Sequence, residues 1–112
     1  MAMADKIIQR AQEHVEPGEI IQGAFAAQMT ITNRGGDPYR IVVATDRRFL
    51  LFQSGRISQT VIKRLIGESS RDQLLGEPSG MFYNVTVGEE TMKVNFRYFA
   101  QVRTIDGALR PS

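Results

Sequence analysis

The chain contains no cysteine, which excludes a disulfide framework, a thiolate-held zinc and a cysteine nucleophile. Stability has to come from the packed core. There is one histidine, His14, and the sequence clusters no further metal ligands near it. No apolar run approaches the roughly 18 residues of a membrane span, and Met1 to Val15 carries charges where a secretory signal would be apolar. These absences lead to a cytoplasmic expectation, with a peripheral position at a membrane as the alternative. Internal repeats and low-complexity segments are also missing.

What remains is the composition of an ordinary globular domain, 42% hydrophobic and 23% charged over 112 residues. A chain of this length buries roughly two-thirds of the surface its unfolded form exposes, enough for one core. The net charge of +2 is unevenly spread. Met1 to Asn33 holds two bases against four acids, Arg34 to Arg71 eight against three, and Asp72 to Ser112 four against five. The positive middle third can attract an anionic surface, although such fields are screened within about 10 Å at 0.1 M salt.

The most informative stretch is Arg40 to Gly55, two apolar runs interrupted only by Thr45, Asp46, Arg47 and Arg48. This is a hairpin pattern. With Asp46 and Arg47 in the loop, Ala44 faces Phe49, Val43 faces Leu50, Val42 faces Leu51 and Ile41 faces Phe52, because cross-strand partners share a face. Both faces of the ribbon are then apolar, and each needs a covering.

Around the hairpin, spacing predicts a helix over residues 5–15, with Ile7, Ile8, Ala11, His14 and Val15 on one stripe. Strands are predicted over 20–32, 39–45, 48–53, 57–66, 73–76, 81–87 and 91–97, where period-two alternation or short apolar runs lie between turn residues. Residues 67–72 are polar and read as a loop. From Tyr98 the period changes to 3.6, with Val102, Ile105 and Leu109 on the same stripe, predicting a helix over 98–109. The expected fold is a single mainly-β domain: about seven antiparallel strands in two packed sheets, with an N-terminal helix and a C-terminal capping helix.

The Pro17-Gly18-Glu19 turn, the hairpin Ile41 to Phe52 with its Thr45-Asp46-Arg47-Arg48 tip, and the final switch from strand to helix resemble the short bacterial pleckstrin-homology-like (PH-like) and GRAM-like domains. The likeness spans nearly the whole chain. It implies a PH-like barrel of two orthogonal sheets with a capping helix, and no enzyme. It also implies a role in binding, since eukaryotic PH domains often hold phosphoinositides through basic early loops and other PH-like domains bind peptides or form oligomers. In this chain the early loop Asn33 to Pro38 offers only Arg34.

The residues give two sets of site candidates. Arg40, Arg47, Arg48, Arg56, Lys63 and Arg64 are candidates for holding an anion, whether lipid headgroup, phosphorylated ligand or acidic protein segment. The competing reading makes them solvated charges that guard strand edges, with Arg48 paired to Asp46. Phe82, the apolar exception in its strand, and Phe99 are candidates for an interaction surface. Asp46 reads as a turn residue whose carboxylate bonds nearby amides. Glu89 and Glu90 diverge from adjacent positions and make no acid–base pair. Gly35-Gly36 lacks the lysine and serine of a phosphate loop. No catalytic residue, metal or cofactor is expected. The leading expectation is a non-catalytic module for protein binding or self-association; anionic-ligand binding is second and nucleic-acid binding a remote third.

Overall fold

The computed structural model describes residues 3–29, 39–54, 62–88 and 90–109. Two helical segments flank six strands: α1 (Met3–Ala11) with a short 3-10 turn at Gln12–His14, then β1 (Ile21–Met29), β2 (Tyr39–Thr45), β3 (Arg48–Ser54), β4 (Ile62–Ser70), β5 (Phe82–Val87) and β6 (Glu90–Asn95). A second 3-10 turn (Phe96–Tyr98) leads into α2 (Phe99–Leu109). The six strands form one antiparallel sheet in the order β4-β3-β2-β1-β6-β5.

The central hairpin has the register its side chains demand. Ala44 pairs with Phe49, Val43 with Leu50, Val42 with Leu51 and Ile41 with Phe52. Extending the register through β1 and β6 sorts the faces. Phe25, Ala27, Val42, Ala44, Phe49, Leu51, Met92, Val94 and Val85 share the inner face, where α2 adds Phe99, Val102 and Ile105, all buried. Ala24, Ala26, Ile41, Val43, Leu50 and Phe52 share the outer face and are buried as well, under the N-terminal helix. The His14 ring stands edge-on to Phe52 at 5.0 Å. Thus both faces of the ribbon are covered within one chain.

Gly23 lets α2 approach so closely. A Cβ at this position would lie 2.7 Å from Ile105 Cγ1, a distance that ordinary side-chain contacts do not reach. Next to it the ladder breaks between Ile21 and Gly23, and the extra residue of the bulge, Gln22, is re-aimed. Gln101 from α2 accepts the Ala24 amide hydrogen at 3.1 Å. The sheet is curled, so that strands at opposite ends of the order come together: a Cβ on Gly88, just after β5, would sit 3.2 Å from Ser69 Oγ of β4.

Several expectations are corrected. There is one sheet instead of two, and the described residues hold six strands instead of seven. Residues 73–76 form no strand, because the Leu75 and Gly76 amides donate to the carboxylate of Asp106 in α2, at 2.8 and 2.9 Å, instead of to a neighbouring strand. Gly76 also has φ of +100°, a conformation that leaves extended pairing. The fourth strand lies at 62–70, running through the polar stretch expected to be a loop; residues 57–61 of the expected strand lie outside the described residues. As an edge strand facing solvent it has no need for apolar alternation. The first strand ends at Met29 in the described residues, with 30–32 outside them. Phe96, inside the strand expected over 91–97, is 54% exposed because the backbone has already left the strand there: Asn95 accepts from the Arg97 amide and starts a 3-10 turn.

Candidate functional site

The hairpin tip is held by a polar cluster. No residue other than glycine has positive φ among the described residues, so Asp46 and Arg47 do not make the left-handed turn usual for a two-residue loop. Thr45 compensates: its hydroxyl accepts from the Arg47 and Arg48 amides, both at 3.1 Å, and donates to Glu19 Oε2 at 2.6 Å. Glu19 is buried and receives the Arg48 guanidinium through two bonds of 2.9 Å, Nε to Oε2 and Nη2 to Oε1. This fork holds the Glu19 carboxyl at about 2, well below the ordinary value, and raises Arg48 further. Glu68 and Glu16 complete the shell around Arg48. The Asp46 carboxylate accepts from the Ile20 amide at 3.0 Å while its own amide donates to the Ile20 carbonyl, extending the β1–β2 ladder. Asp46 therefore reaches across to β1, and the partner of Arg48 is Glu19.

A second cluster ties the tip to α2. Arg71 is buried; its Nε and Nη2 donate to Gln22 Oε1, Nε to the Thr45 carbonyl at 2.9 Å and Nη2 to the Ile105 carbonyl at 2.6 Å, with the Phe49 ring 4.9 Å below. Burial lowers its pKa, partly opposed by Asp106 and Asp72. Sequence reasoning passed over Glu19 as a turn residue, Arg71 as one more surface cation and Asp106 as unremarkable. All three are buried. For Glu19 the available signal was its place beside the Thr45-Asp46-Arg47-Arg48 tip in the family likeness; for Asp106 it was an acid next to Ile105 on the packed stripe.

The six anion-binding candidates do not form one patch. Arg47 and Arg48 stand at the closed end of the β2–β3 hairpin. Arg40, Gln53 and Arg64 lie in one cross-strand row near its open end, about 20 Å away at the rise of a strand. Arg48 is committed to Glu19, and Arg40 pairs with Glu90 at 3.7 Å. Arg47, Lys63 and Arg64 are exposed. Arg56 lies outside the described residues. Among those residues, no group of three or more His, Cys, Asp or Glu comes together to hold a metal, and no helix is long and apolar enough to cross a membrane.

The two aromatic candidates separate. Phe99 is 7% exposed and belongs to the core, a correction that follows from α2 packing against β1. Phe82 is 55% exposed on β5, and it has neighbours that sequence reasoning missed: Met81, 66% exposed, and Phe96, joined by the Phe96 amide to the Met81 carbonyl at 2.8 Å. The three exposed apolar residues thus sit at adjacent backbone positions where β5 begins and β6 ends. Beside them runs a groove of about 230 Å³ lined by Gln28, Tyr39, Phe82, Lys93, Asn95 and Arg97. A second cleft, of about 340 Å³, opens between the two sheet edges, with Leu51, Ile66, Ser69, Val87 and Gly88 in its walls. No family model, curated protein or solved structure matches the chain.

Proposed function

We propose that the chain is a non-catalytic interaction module of PH-like build, acting by protein binding, with self-association as the leading form. The PH-like reading is supported by a β4-β3-β2-β1 meander joined through β1 to the β6-β5 hairpin, and by a C-terminal helix seated on the inner face. The seventh strand implied by the resemblance has no counterpart in the described residues, where the 71–81 segment connects β4 to β5.

The observation that carries the interaction reading is the Met81, Phe82 and Phe96 corner. Three large apolar residues this exposed, at adjacent backbone positions at one end of the β5–β6 hairpin, are the kind of surface that marks contacts. The ribbon faces, which also called for a covering, are satisfied internally and no longer contribute to the argument. The anion reading loses support, because Arg40 and Arg48 face carboxylates and the remaining cations are divided between two ends of a hairpin.

Light scattering over a concentration series tests the proposal. The expected result is a mass rising from that of the 12.6 kDa chain towards twice that value, with Phe82→Ser and Phe96→Ser each weakening the association. A strictly monomeric species up to millimolar concentration would overturn self-association.

A further inference from the structure

Two cations, Lys93 and Arg97, belong to neither end of the β2–β3 hairpin. They stand in the walls of the groove of about 230 Å³, and no carboxylate is among its lining residues. Tyr39, Gln28 and Lys93 form one cross-strand row on the outer face, since Gln28 pairs with Tyr39 on one side and with Lys93 on the other. Asn95, two residues beyond Lys93, pairs with Phe82 in the next row. Lys93 is exposed and has no carboxylate partner among the described residues. Arg97 Nε donates to Asn95 Oδ1 at 3.2 Å, which holds that guanidinium beside the same row. Every wall comes from a strand or from the turn that follows β6, so the groove is formed before anything enters it.

We infer that this groove holds an acidic segment of a partner protein, with a carboxylate against Lys93 and Arg97 and an apolar side chain two residues away against Phe82. Charge complementarity selects the acid, because the groove carries positive charge and no negative charge of its own. Strand geometry selects the spacing. Lys93 and Phe82 are diagonal neighbours across the β5–β6 ladder, a separation of roughly 7–8 Å, and residues i and i+2 of an extended segment lie roughly 6.5–7 Å apart on one face. Gln28, Tyr39 and Asn95 offer amide and hydroxyl groups to the main chain of such a segment. The volume is below the roughly 300–1,000 Å³ of small-molecule sites. Two cations also fall short of the cluster of about four to eight that draws a protein to an anionic membrane.

This assignment rests on the protein-binding reading above and does not depend on self-association. The probe is a terminally blocked peptide, Gly-Glu-Gly-Leu-Gly, followed through the amide shifts of the labelled chain. Saturable shifts are expected at Gln28, Lys93 and Asn95, with Thr45 to Arg48 unmoved and a Kd on the order of 1 mM. The same peptide with lysine in place of glutamate should bind at least about tenfold more weakly. Lys93 is exposed, so Lys93→Glu leaves the fold intact, which far-ultraviolet circular dichroism verifies. That variant should exchange the preference, losing the glutamate peptide and gaining the lysine one. Equal binding of the two peptides to wild type, or no saturable shift up to about 10 mM, would overturn the assignment. A response to phosphatidylserine vesicles with none to the peptide would overturn it in favour of a lipid headgroup. A chain that associates in light scattering yet ignores the peptide would remove the groove alone. A chain that does neither would overturn the protein-binding reading as well.

Discussion

Arg48 and Glu19 meet through two parallel hydrogen bonds of 2.9 Å, with the carboxylate buried and the Thr45 hydroxyl holding its Oε2 from the other side. The fork geometry is specific to a guanidinium. Arg48→Lys should therefore destabilise the fold by about 1–2 kcal/mol, and Glu19→Ala by about 2–3 kcal/mol because the guanidinium loses its buried partner. Urea denaturation midpoints at neutral pH measure both. A loss below about 0.5 kcal/mol in either variant would reduce the tip cluster to surface decoration.

The same pair sets a pH dependence. The Glu19 carboxyl lies at about 2 in the folded chain against an ordinary value of 4.5. A depressed value means the contribution is fully present above about pH 4.5 and is lost as pH falls towards 2, since the unfolded chain takes up the proton first. Stability measured over that window should fall more steeply in wild type than in Glu19→Gln, where this titration is gone. Parallel curves would show that other carboxyls carry the acid sensitivity.

Gly23 and Ile105 should be coupled. Gly23→Ala brings a methyl group into Ile105 and should cost about 1–3 kcal/mol. In Ile105→Ala the nearest obstructing atom is gone, leaving Gln101 Oε1 at 3.1 Å, so the double variant should be more stable than the sum of the two single losses by about 1 kcal/mol or more. Additive losses would mean that α2 can shift without penalty. Val102→Asp, by contrast, puts a charge at a fully buried position and should unfold the domain, as seen by protease resistance.

Asp106→Asn should loosen the 71–81 segment. Both carboxylate oxygens accept backbone amides, from Leu75 and Gly76, and the amide replacement can accept at only one oxygen. The expected loss is about 1–3 kcal/mol, with faster hydrogen exchange at Leu75 and Gly76 while the β2–β3 hairpin keeps its protection. Uniformly faster exchange would indicate a global effect instead.

The hairpin register was legible in full because two-residue loop length and alternating phase leave one way to align Ile41 to Ala44 with Phe49 to Phe52. Both helices were legible from their 3.6-period stripes: the first begins at Met3 and passes into a 3-10 turn after Ala11 instead of running over 5–15, and the second, Phe99–Leu109, matches the expected 98–109 to within one residue. The edge strand was not: Lys63, Arg64 and Glu68 need satisfy no buried face, so alternation carries no information there. Leu75 looked like part of a strand because it is apolar and flanked by turns, yet its amide is satisfied by Asp106, a partner far along the chain. The buried charges Glu19 and Arg71 were invisible for the same reason, since an ionised residue reads as exposed until its distant partners are known. Phe82 was legible as an interruption in its strand, whereas Met81 and Phe96 came to the same corner only through the β5–β6 pairing.

The shared strand β1 also sets the timetable of folding. Its pairing with β2 and the β2–β3 hairpin join neighbours in sequence, but the Ala27 to Val94 and Met29 to Met92 pairs join opposite ends of the chain. Closing so long a loop costs entropy before any contact repays it. The contacts that join the β5–β6 hairpin to β1 are therefore the ones whose loop-closure cost is highest, and they are expected to form after the local β1–β2–β3 pairings.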